Sequence, residues 1–263
     1  ENLLSTLPTY LNHVKENNKV LVQDLERLSQ TYLLPETDAS HVRRIQADLS
    51  ALETAILDVI EDQSEPTQAY SVLEEQLEAL QSQLKEIEDE QISVSQRLAQ
   101  VEKDDINARQ KANVYVNRLH TIKRYMEKRN LPGIPQSFLK IFFTASHNTE
   151  ELMSELEQEL VDVESVNRIL EIATNDMEAL EAETYNIVQY ATLTEQLLQY
   201  SNRYRSFDER IQEAFNESLE IFEKEFDYHA SFDKISQALE VAEPGVTNRF
   251  VTSYEKTRET IRF

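Results

Sequence analysis

The chain has 263 residues, no cysteine, two glycines and six prolines, and it carries a formal charge of −23. Without cysteine there is no disulfide framework and no thiol chemistry, and so acidic a balance argues against nucleic acid or an anionic membrane as a ligand of the whole surface. With so little strand-and-turn vocabulary the class expected is all-α, and no apolar run of about 18 residues that could span a membrane is present.

The chain opens on Glu1 in mid-pattern, without an initiator Met or a signal-peptide layout, as expected of a stretch cut from something longer. Pro8 sits within a helical pattern, while Pro35, Pro66, Pro132, Pro135 and Pro244 fall at breaks. Residues 1–34 read as a first helix with Leu4, Leu7, Leu11, Val14, Leu21, Leu25, Leu28 and Tyr32 on one stripe, and with Asn18 as a polar interruption. Leu34–Asp38 is a turn, with Thr37 or Asp38 as the expected N-cap. A second helix to about Asp62 turns Val42, Ile45, Leu49, Leu52, Ile56 and Val59 inward. Gln63-Ser64-Glu65-Pro66 then leads into the third.

The third helix is expected to run from Pro66 to Arg129, a length of roughly 95 Å at 1.5 Å per residue. From Leu73 to Met126 it holds sixteen consecutive positions at alternating four- and three-residue steps, and only Gln91 and Asp105 among them are not apolar or aromatic. A strict repeat of 3.5 residues marks a coiled-coil seam. Short loops make successive helices antiparallel, so the first two cover only the first half of the third.

Leu131–Pro135 is a tight turn. Phe138, Leu139, Ile141, Phe142 and Phe143 follow, read either as a short helix (136–146) plugging a bundle end or as an exposed docking patch. A long helix is expected from about Asn148 to Arg203, on a stripe of Met153, Leu156, Leu160, Val163, Leu170, Met177 and Leu180. Arg109–Lys140 holds eight bases and one acid, Glu127, whereas Asn148–Gln196 holds thirteen acids and one base, Arg168. An antiparallel return would lay these segments together and neutralise the basic one; the alternative is a free basic binding site. Ser206-Phe207-Asp208-Glu209 reads as a capping box, opening a helix to about Ala242 with Ile211, Phe215, Leu219, Phe222, Phe226, Ile235 and Leu239 inward. Glu243-Pro244-Gly245 is the last turn, before a helix packing Val246, Phe250, Tyr254 and Ile261.

Helix lengths and breaks thus predict an elongated array of spectrin-like antiparallel three-helix bundles joined by long shared helices. The expected bundles are residues 1–100, residues 101–176 with the short helix 136–146, and residues 177–263. Gln91 and Asp105 are candidate points where the shared helix changes partners.

No chemistry stands out. No histidine has Glu three residues before it, so the paired Glu-x-x-His pattern of a di-iron bundle is missing. There is also no phosphate-binding loop. The reading is a non-enzymatic scaffold without metal or cofactor. One run departs from plain coiled coil: Gln199-Tyr200-Ser201-Asn202-Arg203-Tyr204-Arg205. Its cations and tyrosines suit a helix C-terminus and a bundle end; Tyr and Arg also dominate interface hot spots.

This run, with Glu243-Pro244-Gly245-Val246, Phe250 and Tyr254-Glu255-Lys256-Thr257, resembles the C-terminal half of the EzrA family, septation ring regulators of Gram-positive bacteria. Leu131-Pro132-Gly133-Ile134-Pro135 with Phe138-Leu139 is similar to the family too. The resemblance implies a cytoplasmic arch of spectrin-like repeats at the division septum, anchored by an N-terminal transmembrane helix outside this stretch. It implies binding to the tubulin-like division protein FtsZ and to other division proteins, restraint of ring assembly, and scope for self-association. It places a Gln/Asn/Arg-rich functional patch on Gln199–Arg205. Two competing readings are a purely structural coiled-coil spacer or dimerisation module, and a curved membrane-binding module of the BAR type that would need an exposed basic face on 109–140.

Overall fold

The computed structural model describes residues 3–61 and 70–258. They form eight α-helices: α1 Leu3–Ser29, α2 Glu36–Glu61, α3 Tyr70–Lys128, α4 Gln136–Leu156, α5 Val163–Ser201, α6 Glu209–Glu220, α7 Tyr228–Ala242 and α8 Val246–Thr257. A π-helical turn, Ile221–Glu225, follows α6. The described residues contain no β-strand, so the protein is all-α as composition predicts. None of the described helices is long and apolar enough to cross a membrane. The turn expected at 63–66, the helix start at Pro66 and the packing of Ile261 lie outside the described residues. The chain separates into two compact units, residues 1–108 with 155–167, and residues 109–154 with 168–263.

The seam of α3 is where sequence and fold agree most fully. Of its sixteen positions, Leu73, Leu80, Val101 and Leu119 are half-buried and every other one is buried. Each large apolar side chain withdrawn from water there contributes about 1.5–3 kcal/mol before chain entropy is counted.

In the first unit, side-chain pairs fix the register. Tyr10 donates to Glu88, Arg27 pairs with Glu102 at 2.5 Å, and Tyr32 donates to Asp105 at 3.1 Å. These offsets, rising together along both helices, make α1 and α3 parallel. Arg44 with Glu90 and Arg97 with Asp38 run in opposite senses, so α2 is antiparallel to α3. Asp38 is therefore not the cap of α2: its N–H bonds Pro35 O inside the first turn, and its carboxylate is buried against Arg97. The polar seam residues are used within the core. The Gln91 amide donates to the Val14 carbonyl at 3.0 Å, one turn from the buried Asn18. A polar layer of this kind costs stability and specifies register.

The continuous helix expected over 148–203 is corrected. α4 runs on to Leu156, well past the short helix expected at 136–146, and the chain then breaks before α5 starts at Val163. The break is stabilised by backbone pairing: Leu33 N–H donates to Val161 O, and Val161 N–H to Thr31 O, both at 2.9 Å. Asp162 closes it by accepting from the N–H groups of Glu164 and Ser165. Leu160, expected on the inward stripe, is instead 45 % exposed.

In the second unit, Ser137 with Glu183 and Asn148 with Asp176 make α4 antiparallel to α5. Because α4 reverses the chain first, α5 runs parallel to α3, not antiparallel. Arg118 pairs with Glu181 at 2.9 Å and Arg129 with Glu195 at 3.2 Å. The expected neutralisation occurs at these two bases, while Lys111, Lys123, Arg124, Lys128 and Lys140 remain exposed. The Phe138–Phe143 segment divides between its two readings: Phe138 is buried, and Phe143 is 66 % exposed.

The helix expected from 207 to 242 is interrupted. Its cap is Asp208, whose side chain accepts from Arg210 N–H, and not Ser206. After the π turn, Phe226 adopts a left-handed conformation (φ 59°), strained for a bulky residue. Its ring tip would lie 2.4 Å from a Cβ on Gly133, so any larger residue in the facing loop requires the ring to shift. Beside it, Tyr228 Oη donates to Gly133 O at 2.6 Å. Farther along, α6 and α7 approach through two buried serines: Ser218 Oγ donates to Ser231 O at 2.8 Å, and Ser231 Oγ to Ser218 O at 2.7 Å.

Candidate protein-interaction site

α5 ends at Ser201 because its last turn tightens into a series of short backbone bonds. Tyr204 N–H and Arg205 N–H both reach Ser201 O, at 2.9 and 3.1 Å, and Asp208 N–H reaches Tyr204 O at 2.9 Å. The buried Ser201 hydroxyl donates to Leu198 O at 2.6 Å, bonding a carbonyl near the helix end. Beneath lies the core of this lobe, with Leu193, Leu197, Leu198, Ile211, Phe232, Ile235, Leu239 and Val246.

The seven residues from Gln199 to Arg205 fall into two groups. Tyr200, Ser201, Tyr204 and Arg205 face the lobe. Tyr200 Oη and Tyr204 Oη both donate to the same oxygen of Glu243, each at 2.6 Å. Arg249 completes this arrangement: its guanidinium donates to Tyr200 Oη at 3.0 Å and lies 3.0 Å from the other Glu243 oxygen. Phe250 meets the Tyr200 ring edge-on, with centroids 5.2 Å apart. The Arg205 guanidinium lies over the Phe215 ring at 3.8 Å, a cation–π contact that ties the turn to α6.

Gln199, Asn202 and Arg203 are exposed. Arg203 stands over the outer face of Tyr200 at 4.6 Å. Phe207 extends the same turn and is 74 % exposed, with its ring 6.0 Å from Tyr204. An amide pair, a cation and an aromatic ring are thus held on a short turn whose inner side is pinned.

The electrostatics follow from the shared carboxylate. The two phenol donors, and then Arg249, hold the Glu243 carboxyl below the usual range, because they bond its charged form. The same contact pushes Tyr204 up to about 12, since the anionic neighbour disfavours phenolate. The Tyr200 hydroxyl in turn raises Arg249. Charge is therefore fixed on Glu243 and Arg249 across the neutral range.

Residue types mark the run itself but not its frame. Glu243 was visible only as part of a turn, and no spacing rule links it to tyrosines some forty positions earlier. Phe215 is legible only as an inward stripe residue and Phe207 only as part of a capping box, while Arg249 carries no signal beyond residue type. Among the described residues, no group of three or more His, Asp or Glu is placed to hold a metal ion.

Comparison with known proteins agrees with the resemblance. Residues 1–254 match the family described as "Septation ring formation regulator, EzrA". The septation ring formation regulators EzrA of Streptococcus pneumoniae strain Hungary19A-6, serotype 19F strain G54 and serotype 2 strain D39 are each 82% identical over 263 residues. The alignment covers 100% of this chain and 46% of each relative, so the chain spans about half the length of the curated relatives it matches. No solved structure matches it significantly. On the match over residues 1–254 and the identity along its whole length, the chain belongs to the EzrA family of septation ring formation regulators.

Proposed function

We propose that this chain is part of a non-enzymatic scaffold that binds FtsZ at the cytoplasmic face of the division septum and restrains assembly of the ring. The observation that carries this reading is the divided patch: Gln199, Asn202, Arg203 and Phe207 outward, over a frame in which Tyr200 and Tyr204 share Glu243. Exposed Arg and aromatic side chains with little conformational freedom lose little entropy on binding, which suits an interface anchor. In the same proposal, the chain is an array of spectrin-like bundles divided near residues 100 and 176. Support for the array comes from helix lengths and from the pairing of α1, α2 and α3. The anchoring transmembrane helix belongs to the longer protein.

The test is assembly of purified FtsZ followed by light scattering, with and without this chain. The expected result is slower assembly and less polymer, with the chain co-sedimenting. Unchanged assembly together with no co-sedimentation would overturn the proposal and favour the spacer reading.

A further inference from the structure

A groove of about 510 Å³ runs between the end of α3, the middle of α5 and the end of α8 in the second unit. Among the described residues its walls hold three tyrosines (Tyr125, Tyr185, Tyr254) and three cations (Lys128, Arg129, Arg258), and no carboxylate. In a chain of charge −23 that composition is a local inversion of sign. Arg129 is partly engaged, donating to Thr192 Oγ1 at 2.8 Å and to Glu195 at 3.2 Å. Lys128 and Arg258 are exposed and make no ion pair with a described residue. We propose that this groove docks an extended acidic peptide segment of a partner protein.

The chemistry of the walls selects that occupant. Lys128 and Arg258 can each take a carboxylate, and guanidinium–carboxylate pairs are the strong, directional kind. Burial holds the Tyr254 phenol above its ordinary pKa, so it stays a hydroxyl donor. Gln189 and Gln196, seven residues apart on one face of α5, supply both donors and acceptors for a peptide backbone. From Tyr185 to Gln196 the floor is roughly 16 Å long, at 1.5 Å per residue. That accommodates about five residues of extended chain. A concave, tyrosine-lined track suits a strand-like segment better than a flat anionic bilayer, which the remaining surface charge would repel. The groove shares no residue with the 199–205 patch, so it stands or falls independently of the function proposed above.

The experiment is fluorescence anisotropy of the intact chain with a labelled peptide of alternating Glu and Leu, against its Gln/Leu counterpart. Saturable binding of the Glu peptide, weakened by salt, and little binding of the Gln peptide are expected. Lys128→Glu with Arg258→Glu should weaken binding by roughly tenfold or more, as removal of central charged anchors does. Lys128→Gln with Arg258→Gln should weaken it less while keeping the melting temperature. Lys111→Glu with Lys140→Glu, the same change of net charge at exposed bases outside the groove, should leave affinity unchanged. Equal binding of both peptides, or equal loss in the control pair, would overturn the proposal. So would sedimentation with phosphatidylserine vesicles, or a groove-dependent self-complex by light scattering, in place of peptide binding.

Discussion

Along α3 the chain packs sixteen times by one rule, whereas beyond Ser201 almost every contact is of a different kind. In α3 an apolar residue returns every three or four positions, and Gln91 and Asp105 vary the theme without breaking the helix. In the later lobe a π turn, a left-handed Phe226, a pair of reciprocal serines and a carboxylate shared by two tyrosines hold four short elements together. Repetition supplies stability at many equivalent positions and distinguishes none of them. Irregular contacts fix particular side chains in place, and the candidate patch lies among them.

Substitutions that separate these two kinds of construction sharpen the contrast. The largest effect is expected from Leu84→Asp, at a seam position with no exposed surface. An unpaired charge there should cost at least about 4 kcal/mol in urea denaturation, and a wild-type midpoint would remove Leu84 from the core. Gly133→Ala tests the interlock in the other region. It should cost about 1–3 kcal/mol, because the new methyl meets the Phe226 ring. Adding Phe226→Ala should make the pair cost less than the sum of the two single changes; strict additivity would show the contact to be unimportant. Tyr228→Phe removes only the hydroxyl that bonds Gly133 O and should cost about 1 kcal/mol.

A fourth effect is visible in its pH dependence. The Glu243 carboxyl is held below its usual value in the folded chain. Its contribution is therefore complete above the unfolded pKa of about 4.3 and is lost as pH falls through the lower folded value. Glu243→Gln should lower stability at neutral pH, and its difference from the wild type should shrink as the solution is acidified through that range. A difference independent of pH would contradict the carboxylate frame. The smallest effect on stability belongs to Asn202→Ala with Arg203→Gln, expected to stay within about 0.5 kcal/mol of the wild type for each exposed change.

Much of the helical layout can be read from residue spacing. The α3 seam, the inward faces of α1 and α2, and the turns at Pro35, Pro132 and Pro244 follow from apolar periodicity and from residues that cannot continue a helix. The break at 157–162 contains neither proline nor glycine and lies on a continuing apolar stripe. It arises from pairing with residues 31–33, a tertiary effect that local propensity does not encode. The π turn escapes for the same reason, since Phe222 and Phe226 keep a helical spacing and only the loop at Gly133 accounts for the second. At the candidate site, residue types mark the run 199–205, but the division between Tyr200 and Tyr204 inward and Asn202 and Arg203 outward depends on Glu243 and Arg249.

That division is tested most directly by a crossed comparison of Glu243→Gln and Asn202→Ala with Arg203→Gln, each assayed for melting temperature and for co-sedimentation with FtsZ. On the proposed contact, the outward pair should melt as the wild type does and bind FtsZ at least roughly tenfold more weakly. Glu243→Gln should lower the melting temperature while retaining most of the binding below it. An outward pair that keeps full affinity for FtsZ would remove Asn202 and Arg203 from the contact.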